Sequence, residues 1–95
     1  MAQIEKLDTN RYRLTGQLNF STVSAVLTQF HALTPEDKIS IDLSLLEKSN
    51  SAGLALLVEL VSVAHKQNRK ITFTGLPDSL LDLAEMSNVK HLLVN

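Results

Sequence analysis

The stretch Ile39-Ser40-Ile41-Asp42-Leu43-Ser44, followed after a short gap by Ser49-Asn50-Ser51-Ala52-Gly53-Leu54-Ala55-Leu56-Leu57, decides how this chain is built. Ile39, Ile41 and Leu43 alternate strictly with Ser40, Asp42 and Ser44, which is the period of a strand with one buried and one wet face. From Ser51 to Lys66 the alternation gives way to an apolar tract long enough for a crossover helix. Ile71 and Phe73 then alternate with Thr72 and Thr74. Strand, helix and strand make a β-α-β unit, whose two strands lie parallel.

Upstream, Arg11 to Leu18 places Tyr12, Leu14 and Leu18 on one face and Arg11, Arg13, Thr15 and Gln17 on the other. Ile4 and Leu7 precede it across the turn-forming cluster Asp8-Thr9-Asn10, which predicts an antiparallel hairpin. Val23, Val26, Leu27, Phe30 and Leu33 recur at helical spacing until Thr34-Pro35-Glu36-Asp37 stops them. Downstream of Gly75-Leu76-Pro77, the segment from Asp78 to Ser87 carries Leu80, Leu83 and Ala84 on one helical stripe, and Leu92-Leu93-Val94 forms a short apolar end. A parallel sheet covered on both faces reads as continuous apolar runs, not as inside-outside pairs. The expected fold is therefore α/β: a small mixed sheet with three to four helices mainly on one face. A flavodoxin-like sheet sandwiched between helices fits less well.

With 95 residues, of which 44% are hydrophobic and 20% charged, the chain has material for one domain, expected over residues 1–95. It contains no cysteine, which excludes a disulfide framework and fits a reducing compartment. A formal charge of -1 argues against nucleic acid as a partner. Met1-Ala2-Gln3-Ile4-Glu5-Lys6 lacks the pattern of a signal peptide, and the apolar tract from Ala52 to Ala64, broken by Glu59 and Ser62, is too short for direct membrane insertion. The expected location is cytoplasmic.

On a helical wheel at 100° per residue, Ser51, Ala55, Glu59, Ser62 and Lys66 fall within an arc about 80° wide, and the other positions from Ala52 to Ala64 are apolar. A helix packed on one sheet needs an apolar stripe only somewhat wider than ~100°. Either neighbouring helices cover the excess, or part of it is a docking surface, and the burial of Leu56, Leu60 and Val63 decides between the two. Ser51 opens this helix. Its hydroxyl suits an N-cap, worth ~1 kcal/mol. The same position, with free N–H donors and a partial positive charge, also tolerates a phosphate, which adds about -1.5 to -2 charges and turns a docking face off.

These residues resemble the signature of the STAS-domain family, the fold of anti-sigma-factor antagonists. In that family a strand ending in Asp-Leu-Ser leads through a short loop into a Ser/Thr-containing helix start that ends in Gly-Leu. The likeness extends from Gly16-Gln17-Leu18-Asn19-Phe20 through the central motif to Thr74-Gly75-Leu76. It implies that Ser51 matches the phosphorylatable Ser/Thr, and it sets Asn50 where the family usually has Asp. Within the family, Gly53 to Val61 and the ending through Leu83-Ala84 look most like the STAS subunits of Mla-type phospholipid-transporting ABC systems. The resemblance then implies a cytoplasmic accessory subunit, membrane-associated only through its transporter, that docks on the ATPase.

Two readings follow. In the first, Ser51, Asn50, Ala52, Gly53, Leu54, Ala55 and Val58 form the face that binds and stabilises the ATPase subunit. In the second, the same face captures an anti-sigma kinase and phosphorylation of Ser51 releases it. An enzyme is disfavoured: Asn50-Ser51-Ala52-Gly53 is not a nucleophile elbow, and no Walker or dinucleotide fingerprint occurs. His31, His65 and His91 sit on separate segments without metal-ligand spacing, so the expectation is no catalytic residue, no metal and no cofactor. His65, Lys66, Arg69 and Lys70 read as a solvated, dipole-complementing helix end, with a phosphate-binding patch as the less favoured alternative.

Overall fold

In the computed structural model, which describes residues 2–32 and 38–94, the elements run β1 (Ala2–Asp8), β2 (Arg11–Leu18), α1 (Val23–His31), β3 (Lys38–Asp42), β4 (Leu46–Ser49), α2 (Ser51–Lys66), β5 (Lys70–Thr74), α3 (Asp78–Met86) and α4 (Lys90–Leu93). Leu33 and the expected stop at Thr34-Pro35-Glu36-Asp37 lie outside the described residues. The hairpin forms as expected: β1 and β2 pair antiparallel from Ala2 opposite Gly16 to Asp8 opposite Arg11. β3 pairs parallel with β2 on one side and with β5 on the other, so the β-α-β unit around α2 is present. The sheet is mixed, in the order β1-β2-β3-β5.

Alternation sorts the two faces. Tyr12, Leu14, Leu18, Ile39, Ile41, Ile71 and Phe73 are buried beneath the helices, while Arg13, Thr15, Ser40, Asp42 and Thr72 stay half-exposed on the opposite side. Among the described residues the four helices form one layer: α1 packs on β1 and α2, and α3 and α4 pack on the other flank of α2. Gln29 of α1 also reaches the outer edge of β1, where its Oε1 accepts the Ile4 N–H at 2.9 Å and shields part of that edge from pairing.

Two elements differ from the sequence reading. The segment read as a loop before α2 contains β4, which pairs parallel with β2 at Gly16, Gln17 and Leu18. β2 is longer than β3, which pairs only with Arg11 to Arg13, so the rest of that edge is open for a second short strand. The apolar end is a single helical turn, α4, in which Leu93 is buried.

The apolar excess of α2 is mostly core. Leu56, Leu60 and Val63 are 4%, 0% and 8% exposed, covered by the sheet below and by flanking helices, so they are core and not a freely exposed face, although Leu56 still borders a surface groove. Burying each stabilises by roughly 1.5–3 kcal/mol. Only a narrow outward strip of α2 remains at the surface.

Candidate functional site

That strip begins where β2 and β4 end together. The Asn50 N–H donates to the Leu18 carbonyl at 3.3 Å, which ties the approach to α2 to the tip of β2. Asn50 then turns the chain into the helix with extended backbone angles. Its Oδ1 accepts the Ala52 N–H at 2.8 Å and its carbonyl accepts those of Gly53 and Leu54 at 2.9 and 3.2 Å. The N-cap is therefore Asn50, not Ser51 as the sequence suggested. Amide and carboxylate oxygens cap comparably, so an Asn in the family's usual Asp position preserves this geometry. Ser51 is the first residue within the helix and is exposed, its hydroxyl outside the cap.

Gly53 explains how closely α2 can sit on the strand ends. A Cβ there would collide with Ser49 Oγ and stand 2.9 Å from Leu18 Cβ. Ala52, Gly53 and Leu54 all face inward and are buried, whereas Asn50, Ser51 and Ala55 are exposed and Val58 is half-buried. The candidate residues thus divide into a seat, which fixes the start of α2, and a surface running along Ser51, Ala55 and Val58.

Beside that surface, α1 and α2 frame an apolar groove of about 450 Å3. Val23 and Leu27 of α1 form one wall, Ala55 and Leu56 of α2 the other, and Phe20 stands at the mouth with 78% of its surface exposed. Among the described residues Glu59 is the single charged one in the lining. The first turn of α2 carries no acidic side chain, so its partial positive charge is left uncompensated next to Ser51. The groove residues of α1 escaped the sequence reading. Phe20 lies three residues before Val23, in phase with the helical stripe but ahead of the helix, and a lone exposed phenylalanine in that place was the available signal.

At the other end of α2 the structure adds His91, which the sequence reading kept apart, to the basic residues that it had grouped there. His65, Arg69, Lys70 and His91 surround one cleft, although they come from α2, β5, α4 and the connection after α2. His31 lies elsewhere, at the end of α1, and among the described residues no three His, Asp or Glu side chains converge as metal ligands.

A family model described as Mlab, STAS domain matches residues 2–95. Two curated proteins, each called intermembrane phospholipid transport system binding protein MlaB, from Escherichia coli (strain K12) and Shigella flexneri, are 39% identical over 49 residues, covering 52% of this chain. The match spans only about half, 50%, of the length of those relatives. Among solved structures, that of the anti-sigma factor antagonist SpoIIAA in its unphosphorylated form superposes with a TM-score of 0.75 over 99% of this chain and 86% of that one. At 11% identity this likeness establishes the fold alone.

Proposed function

Since the chain belongs to the STAS-domain family, Mlab type, we propose that it is a non-catalytic binding subunit of a phospholipid-transporting ABC system and that it docks on the ATPase through the start of α2 and the groove beside it. Residues 1–95 act in this reading as a single domain. The observation that carries it is the open apolar groove that Val23, Leu27, Ala55 and Leu56 line and at whose mouth Phe20 stands, with the exposed Ser51 one turn before Ala55 on the same strip of α2. Interfaces gain most from a few anchors, aromatic ones above all, that fill pockets on the partner, and the surrounding contacts serve mainly to exclude water. Phe20 provides the anchor, and Ser51 and Ala55 belong to the surrounding contacts. Asn50 and Gly53 serve the interface indirectly, by fixing where α2 begins. The relatives named for a phospholipid transport system support the choice of partner. Among the described residues no helix is long and apolar enough to cross a membrane, so contact with a bilayer comes through the transporter in this reading.

The test is calorimetry or size-exclusion chromatography of the purified chain mixed with the ATPase of a phospholipid-transporting ABC system from the same organism. A stable complex that Ala55→Arg abolishes supports the proposal, since an exposed helix position tolerates arginine without refolding. Failure of the wild-type pair to associate overturns it.

A second reading has one observation in its favour: the Ser51 hydroxyl is exposed and is spared from capping by Asn50. In that reading the face binds an anti-sigma kinase and phosphorylation at Ser51 releases it. A phosphate mass shift on Ser51 after incubation with a partner kinase, and loss of binding in Ser51→Asp, are its required results.

A further inference from the structure

The end of α2, the start of β5 and α4 enclose a cleft of about 290 Å3 at the opposite end of α2 from Ser51. Val61, Ile71 and Leu92 make its apolar side, and His65, Arg69, Lys70 and His91 make its polar rim. Among the described residues no carboxylate lines it. The chain as a whole is slightly acidic, so this convergence is not the by-product of a basic protein. Arg11, Arg13 and Lys90 are each matched by a carboxylate, whereas among the described residues no ion pair involves the rim of this cleft.

The helix dipole accounts for only part of this. It favours His65 and Lys66, which lie in the last turn of α2. Its influence fades within a turn, so it does not account for Lys70 on β5 or for His91 on a different helix. Arg69 is half-buried and held in place: its Nη1 donates to Gln67 Oε1 at 2.9 Å, and its charge lies near enough to the Tyr12 phenol to oppose the rise in pKa that burial imposes there.

From this geometry we infer that the cleft binds a phosphate group, carried by an amphiphile whose aliphatic part lies on Val61, Ile71 and Leu92. Arginine and lysine donors on the rim supply charge-assisted hydrogen bonds to phosphate oxygens. The apolar side offers contact that a free phosphate ion cannot use. The inference does not depend on docking to an ATPase, because it uses the other end of α2.

Two probes separate the sources of phosphate: inorganic phosphate and hexyl phosphate, each titrated into the full chain while amide resonances of Val61, Arg69 to Ile71 and Leu92 are followed by NMR. Saturable shifts at those residues are expected with both, with hexyl phosphate binding about tenfold more tightly. Equal affinities uphold the phosphate site but assign it to free phosphate and overturn the amphiphile. Lys70→Gln combined with His91→Gln, both at exposed positions, should weaken both probes about tenfold, and Leu92→Ser should weaken only hexyl phosphate. The site is overturned if neither probe gives saturable shifts up to millimolar concentration. It is equally overturned if the double variant, with an otherwise unchanged spectrum, binds both as well as the wild type.

Discussion

Leu18 and Gly53 meet so closely that a methyl group on Gly53 would stand 2.9 Å from Leu18 Cβ. Ser49 Oγ, which obstructs the same space, can swing aside by rotation, but a β-carbon next to the backbone of β2 cannot. Helix propensity alone would reward Gly53→Ala by ~1 kcal/mol. Overpacking costs typically 1–3 kcal/mol. The steric term wins here, and Gly53→Ala should destabilise the chain by about 1–2 kcal/mol in urea unfolding. Adding Ser49→Ala should recover only part of that loss, because Leu18 remains. A variant as stable as the wild type would show that α2 is not seated as closely as described.

Capping and surface roles fall on adjacent residues and can be separated by mutation. Asn50→Ala removes the acceptor for the Ala52 N–H and should cost ~1 kcal/mol, while Asn50→Asp should be neutral or slightly stabilising because an anion complements the helix dipole. Ser51→Ala should change stability by less than about 0.5 kcal/mol, and Ser51→Asp should be neutral or stabilising by up to about 1 kcal/mol, because an anion in the first turn complements the dipole. If Ser51→Ala costs as much as Asn50→Ala in chemical denaturation, the hydroxyl is the real cap.

How legible this architecture was depends on how strongly each segment is forced by burial. Ile39, Ile41, Ile71 and Phe73 alternate because one face of their strands is sealed under α2, and a period of two survives in any reading of the sequence. The strand Leu46–Ser49 leaves no such mark: it is four residues long, sits where β3 ceases to pair with β2, and answers to an open edge, a non-local cause. Leu54 illustrates the limit at the candidate site. A helical wheel already sets Ala55 in the polar arc and Leu54 outside it, but only the packed structure tells that Leu54 is sealed in the core and not part of a docking face. The groove was hidden for the same reason, since its α1 wall is brought beside α2 by tertiary packing. The cap was misassigned by one residue, because Ser and Asn are both good cap residues and sit side by side.

Asn68 and Asn88 each end a helix in the left-handed region, both at φ 59°. After α2 the Arg69 N–H returns to the Ala64 carbonyl at 2.8 Å and that of Asn68 to His65 at 3.0 Å. After α3 the Val89 and Asn88 N–H groups repeat the pattern onto Ala84 and Glu85 at 2.9 and 3.1 Å. Asparagine tolerates this conformation better than residues with apolar side chains, and glycine tolerates it best. Asn68→Ala and Asn88→Ala should each cost about 1 kcal/mol, while the glycine variants should match or exceed the wild type in thermal midpoint. A glycine variant less stable than its alanine counterpart would contradict the left-handed assignment.

Asp42, on the wet face of β3, gives the chain a defined response to acid. The Ser44 backbone N–H donates to its Oδ1 at 2.9 Å, and Arg13 Nε lies 3.6 Å from Oδ2. The backbone bond from Ser44, then that residue's hydroxyl, hold the carboxyl below its ordinary value, outweighing a small opposing effect of burial, and Arg13 adds to the lowering. Because the folded chain binds this proton less readily than the unfolded chain, the stabilisation is complete above the ordinary carboxylate range, about 3.9, and is lost as pH falls through the depressed folded value. Asp42→Asn keeps an oxygen able to accept from Ser44 and removes only the charge. Urea unfolding of the two proteins at a series of pH values should therefore show the wild type more stable at neutral pH. The gap should begin to narrow as the pH drops below about 4, where the carboxylate of the unfolded chain takes up its proton first, and should close only once the pH has passed the depressed value of the folded chain. A gap that stays constant down to the acid limit would mean that the side chain at position 42 acts through shape and hydrogen bonding and not through its charge.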